Sequence, residues 1–182
     1  MSRLYDIAAG AMNGAIIAAM VSVGITGVTR AQAEHRLQTV TEEDRHCLAQ
    51  NIFWEARNQT VEGQVAVAWV TLNRMEDDRF PGSICRVVYQ ANRDSNGNPI
   101  RNQCQFSWYC DGKSDRIPSN TVAQRAWQDA QLIADVVLLD WARQEASPVQ
   151  NATYYHADYV TPRWARNFTE VATVDSHIFY EN

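Results

Sequence analysis

The sequence predicts an α+β fold, mainly helical, with a small antiparallel sheet near the C-terminus. Three observations predict it. Apolar residues recur at three- and four-residue steps in segments up to residue 143, which is the spacing of amphipathic helices. Ser147-Pro148 then breaks the pattern. Beyond that point the period falls to two, in stretches rich in Tyr, Thr and Val, as half-buried strands require. Helices first and strands last fit an α+β domain better than a parallel α/β one. With 182 residues, 46% hydrophobic and 20% charged, the chain has material for one core and a short extra segment. Its composition excludes a wholly disordered, collagen-like or polytopic membrane protein.

Each element has its own signal. Residues 34–40 read as a linker, after which Thr41-Glu42-Glu43-Asp44 forms a capping-box pattern that starts a helix and the main domain, residues 41–182. Leu48, Ile52 and Ala56, with Ala49 and Phe53 beside them, give this helix one apolar stripe to about Arg57. Thr60 caps a second helix running to about Met75, apolar at Ala66, Val67, Ala68, Val70 and Leu72, so the pair is expected to pack as a hairpin. Phe80-Pro81-Gly82 ends it, Ser83 opens a short helical turn through Tyr89, and Asn92 to Asn102 reads as an exposed polar loop. The third long helix spans Thr121 to Arg143, where Ala126, Ala130, Ile133, Val137, Leu138 and Trp141 share one face. Strands are predicted at residues 152–156, 170–174 and 177–180, the last two turning at Asp175-Ser176.

Residues 7–28 carry no charge and are long enough to cross a bilayer as a helix. Six Ala and four Gly make them only weakly hydrophobic, and Ala31-Gln32-Ala33 has the small-x-small form that a signal peptidase cuts. Residues 1–33 are therefore expected to export the domain that follows, touching the bacterial inner membrane at least transiently, whether as a cleaved signal or a retained anchor. Cys47, Cys85, Cys104 and Cys110 are an even number, which suits an oxidising compartment. Three pairings are possible; the short span from Cys104 to Cys110 suggests a local clasp, and the absence of C-x-x-C spacing argues against zinc. Without residues 1–33, which hold Arg3, Arg30 and Asp6, the 16 basic and 21 acidic side chains fall to 14 and 20, a net of −6. That sign excludes nucleic acid as the expected partner.

Among candidates for chemistry, Glu55 stands out because it follows Trp54 at a helix end. Burial against aromatic rings penalises a carboxylate and raises its pKa into the range of a general acid, as glycosidic cleavage needs. The competing reading is a surface acid paired with Arg57 or Gln59. A different chemistry would use Cys104 or Cys110 as a thiol nucleophile with His156 or His177. Asn92-Arg93-Asp94-Ser95-Asn96-Gly97 imitates half a calcium loop, but Gln103 stands where a bidentate Glu is needed, so no metal is expected.

Trp54-Glu55-Ala56-Arg57, Glu62-Gly63-Gln64-Val65-Ala66-Val67-Ala68 and Leu72-Asn73-Arg74 together resemble the opening signature of the SleB-type cell-wall hydrolases. Phe80-Pro81, Val88-Tyr89-Gln90, Gln105-Phe106-Ser107-Trp108, Thr153-Tyr154-Tyr155, Pro162-Arg163-Trp164-Ala165 and His177-Ile178-Phe179-Tyr180 continue it in order, so the likeness covers about residues 45–181. It implies a lysozyme-like domain that cleaves peptidoglycan between N-acetylmuramic acid and N-acetylglucosamine, without a cofactor, as a monomer in the periplasm or cell wall. The family's catalytic acid/base corresponds to Glu55. Gln64, Phe106, Ser107, Tyr154, Tyr155 and His177 match family positions that could bind substrate, with core filling as the alternative for each; Trp164 and Phe179 read as packing. Asn58-Gln59 departs from the family's usual Gly-Glu, and Asn is the non-glycine residue that best tolerates left-handed backbone there.

The resemblance leaves the reaction open. A lytic transglycosylase needs one acid/base, whereas a hydrolytic muramidase needs a second carboxylate, for which Glu62, Asp111 or another acid brought close by the fold are candidates. A wall-binding protein without catalysis is a third class. The N-terminal segment also resembles the signal-arrest-release segments of some phage endolysins.

Overall fold

The computed structural model describes residues 28–182; of the expected membrane-directed segment, residues 7–27 lie outside the described residues. No helix among the described residues is long and apolar enough to cross a membrane. The chain begins with α1 (Arg30–Gln38), so the expected linker at 34–40 is helical as far as Gln38. Few apolar residues announced this helix. A capping box holds its start, with the Gln32 amide nitrogen donating to Thr29 Oγ1 at 3.3 Å and the Thr29 amide to Gln32 Oε1 at 2.9 Å. It packs on α5 (Thr121–Ala142) and buries Ala33, the last residue of the small-x-small motif.

Helices α2 (Glu42–Ala56) and α3 (Val61–Glu76) fall where their caps predicted. The Asp44 amide donates to Thr41 Oγ1 at 3.0 Å and the Gly63 amide to Thr60 Oγ1 at 3.3 Å. Contacts with α3, α5 and the short α4 (Ile84–Val88) surround α2. Burial therefore extends beyond its apolar stripe of Leu48, Ile52 and Phe53 to Gln50 and Asn51. Val67, Val70 and Leu72 of α3 and Ala134, Val137 and Leu138 of α5 complete the core. A disulfide joins Cys47 of α2 to Cys85 of α4, with Cα atoms 5.2 Å apart.

The expected polar loop after α4 is a hairpin, β1 (Ala91–Arg93) with β2 (Pro99–Cys104). Its strands carry too few apolar residues to show a period of two; the turn forms because Asp94 Oδ1 accepts the amides of Asn96 and Asn98, both at 2.9 Å. Gly97 there has φ +82°, a left-handed conformation that glycine adopts without strain. A second disulfide, Cys104–Cys110, clasps the 3-10 turn at Ser107–Cys110. The C-terminal sheet has the order β3 (Tyr154–Ala157), β5 (His177–Glu181), β4 (Thr169–Val174), antiparallel throughout. Its β4–β5 turn places Asp175 at φ +49°.

Candidate active site

Glu55 sits in the last turn of α2, next to the strand that carries Tyr155. Alternation along β3 sends Tyr154 and Tyr155 to opposite faces. The Tyr155 hydroxyl donates to Glu55 Oε2 at 2.9 Å. Tyr154 instead joins Phe80, Trp164 and Phe168 in an aromatic cluster, with ring centroids 6.2, 5.6 and 4.8 Å away.

Part of Glu55 remains open to solvent, yet protein atoms crowd its carboxyl group. Desolvation raises its pKa above the ordinary carboxylate value and outweighs two opposing influences, the Tyr155 hydrogen bond and then the positive charge of Arg74. Burial also pushes the Tyr155 phenol well above its usual range, with the Glu55 charge next in effect. Tyr155 therefore keeps its proton and serves Glu55 as a hydrogen-bond donor. No carboxylate is among the groups that shift Glu55.

The other expected site residues divide. His177 stands edge-on to Tyr155 at 5.3 Å, is 8% exposed, and has a buried Nδ1 without a partner. Desolvation lowers its pKa most, keeping the ring neutral. Gln64 is also buried: its Nε2 donates to the Gln59 carbonyl at 3.2 Å, and its Oε1 has no partner. Ser107 is exposed at the start of the clasped turn. Phe106 is 2% exposed and packs against the Arg74 guanidinium at 4.9 Å, so its ring has no free face for a sugar. Tyr154, half-buried, turns towards the aromatic cluster.

Three contributions escaped the sequence reading. Trp108 lies over Trp54 at 6.4 Å, with planes 25° apart, and its indole N–H donates to Asn51 Oδ1 at 2.9 Å. The Asn51 amide in turn reaches Thr71 Oγ1 at 3.1 Å, a buried polar link across α2 and α3. Asp175, on the β4–β5 turn, caps α3 from outside: its Oδ2 accepts from the Thr60 amide at 2.9 Å and the Thr60 hydroxyl at 2.6 Å. Arg74 is the third. A charged residue amid the apolar run of α3 was the available signal for it.

The departure at Asn58-Gln59 needs no left-handed residue, since neither has a positive φ. Gln59 ties the turn to the sheet by accepting the Ser176 hydroxyl on its Oε1 at 3.0 Å. Thiol chemistry at Cys104 or Cys110 is ruled out in this state because they are bonded to each other. His156 is engaged elsewhere, with Nε2 3.0 Å from the Tyr180 hydroxyl. A 580 Å³ groove between α1 and α5, lined by Val28, Ala33, Leu37 and Leu139 among others, does not include Glu55.

Against known proteins, the family model described as Cell Wall Hydrolase matches residues 58–180. The chain belongs to the cell wall hydrolase family, in its SleB-type branch. It is 31% identical to the spore cortex-lytic enzyme of Bacillus subtilis over 139 residues, which cover 76% of this chain and 37% of that protein. For the Halalkalibacterium halodurans spore cortex-lytic enzyme the identity is 30% over 140 residues, with 76% and 35% covered. The chain thus spans little more than a third of the length of these relatives. Its fold is similar to the catalytic domain of the germination-specific lytic transglycosylase SleB from Bacillus anthracis: TM-score 0.53, 25% identity, 79% of this chain and 98% of that one. The Bacillus cereus SleB catalytic domain gives TM-score 0.51 at 25% identity, covering 78% and 92%. This supports the mixed helical and small-sheet architecture. The family match begins three residues after Glu55.

Proposed function

We propose that this chain cleaves the glycan strand of peptidoglycan between N-acetylmuramic acid and N-acetylglucosamine, as a lytic transglycosylase with Glu55 as its acid and base. The carrying observation is a carboxyl with a raised pKa, held by the Tyr155 hydroxyl, with Arg74 as the charge that acts on it and no carboxylate among the described groups that do. Protonated Glu55 donates its proton to the glycosidic oxygen as the bond to the anomeric carbon breaks. The resulting carboxylate takes the proton of the muramoyl 6-hydroxyl while that oxygen bonds to the anomeric carbon. A 1,6-anhydro sugar leaves, and Glu55 is again protonated.

A hydrolytic muramidase would need a second acid to activate water. Neither Glu62 nor Asp111 is among the groups that act on the Glu55 carboxyl. Glu62 is exposed in the first turn of α3. Asp111 accepts the Lys113 amide at 2.8 Å and pairs with its ammonium at 3.2 Å, contacts that hold its carboxyl below the ordinary value. The related SleB domain is described as a lytic transglycosylase, which supports the same reading here. His177, which stands edge-on to Tyr155, and Gln64 are the residues we assign to substrate amides. Cleavage of wall glycan places the work outside the cytoplasmic membrane, with residues 7–28 as the export or anchoring segment. The capping of α1 at Thr29 and the burial of Ala33 favour keeping residues 29–33 with the domain.

Mass spectrometry of purified sacculi digested by the disulfide-bonded protein tests the reaction. Soluble fragments ending in 1,6-anhydromuramic acid are expected. Free reducing ends would make the enzyme a muramidase, and intact strands would leave only a binding role.

A further inference from the structure

At the C-terminal end of α3, Asn73 and Arg74 hold the chain that leads into β3. The Asn73 side-chain amide donates to the carbonyls of Gln150 and Ala152, both at 2.9 Å. Arg74 Nε donates to the Thr153 carbonyl at 2.7 Å. The next two residues are Tyr154 and Tyr155. Thr153 is also tied to β5, through its amide to the Tyr180 carbonyl at 3.1 Å. The Tyr155 hydroxyl is therefore aimed by a backbone held on both sides.

Arg74 is only 4% exposed, and one guanidinium nitrogen, Nη1, is buried without a partner. The rings of Phe106, Phe80 and Tyr154 stand 4.9, 5.4 and 5.8 Å from its guanidinium carbon. Burying this cation is costly. A backbone clamp alone does not need a charge, as the neutral Asn73 beside it shows. The charge acts on Glu55 of α2 and on Tyr154 and Tyr155 of β3, the titratable groups facing it. His177 of β5 faces Tyr155 from the other side.

We propose that Arg74 is a positioning residue for glycan cleavage: its hydrogen bond to Thr153 aims the Tyr155 hydroxyl at Glu55, and its fixed positive charge steadies the Glu55 carboxylate formed once the proton has been given up. This rests on the acid/base reading of Glu55. The acid step creates a negative charge in a desolvated place, where a preorganised cation and a phenolic donor are worth far more than in water. Lysine would keep the charge but lose the planar fork that fixes the hydrogen bond.

The test compares Arg74→Lys, Arg74→Met, Tyr155→Phe, the Arg74→Lys/Tyr155→Phe double variant and Glu55→Gln, all as the full chain. Initial rates of muropeptide release from sacculi are measured against substrate concentration and pH, beside thermal melting. Arg74→Lys is expected to lower kcat by about tenfold or more with little change in KM, and the double variant to lose no more than about twofold beyond the larger single loss. Arg74→Met, lacking the charge, should move the alkaline limb of the kcat profile to higher pH, because the influence that pulls the Glu55 pKa down is gone. If Arg74→Met does not fold, the Arg74→Lys cycle decides. Losses that multiply in the double variant, a folded Arg74→Met with an unmoved limb, or an Arg74→Lys protein with parental kcat would each overturn the proposal. Activity in Glu55→Gln would instead overturn the reading of the site on which it stands.

Discussion

At Glu55, desolvation penalises the charged form, so the folded protein binds this proton more tightly than the unfolded chain does. The contribution to stability is then fully present below the ordinary value of 4.5 and is lost as pH rises through the higher folded value. Glu55→Gln should accordingly melt at a higher temperature than the parent at neutral pH, with the gap closing in acid; calorimetry across pH checks this, and a variant that melts lower at neutral pH would show the carboxylate to be well solvated. Function held against stability in this way is common at active sites. Trp54-Glu55 pointed to such an environment from the sequence alone. Tyr155 was named only as a groove residue, because a hydrogen bond between positions 100 residues apart leaves no local signature. For Phe106 and Tyr154 the sequence left groove and core open alike, because residue type does not reveal which way a ring faces.

Elements meet closely where the sheet turn docks on α3. A Cβ added at Gly63 would lie 2.4 Å from Asp175 Oδ2 and 2.9 Å from Gln59 Cβ. Gly63→Ala is expected to destabilise the fold by about 1–3 kcal/mol through overcrowding, read from denaturant midpoints. Adding Asp175→Ala should recover part of that loss, whereas fully additive losses would contradict the close approach. The clasped 3-10 turn holds Trp108 over Trp54. Replacing Cys104 and Cys110 by Ser should weaken the near-ultraviolet circular dichroism of this tryptophan pair and slow cleavage, while far-ultraviolet helix signal is kept. Helices α2, α3 and α5 were legible because caps and apolar spacing agreed. The β1–β2 hairpin and α1 were not, since polar strands and a short polar helix depend on turn bonds and neighbours.

Over the whole molecule, the chain order of helices followed by a sheet carried the fold class, while the site depended on long-range packing. Only the fold brings α2, α3 and β3 together, with Tyr155 hydrogen-bonded to Glu55 and Arg74 to the Thr153 carbonyl. The Cys47–Cys85 disulfide spans 38 residues, and loop-closure entropy assigns such a crosslink about 4 kcal/mol. Reduction should lower the melting temperature markedly, and an unchanged melt under verified reduction would show that core packing suffices. The proposed agent of cleavage is one partly desolvated carboxyl, Glu55. Its most direct test is the rate at which purified sacculi are solubilised by Glu55→Gln and by the parent, both folded and disulfide-bonded. A loss of at least about a hundredfold is predicted for removing the general acid; solubilisation at the parental rate would contradict the account.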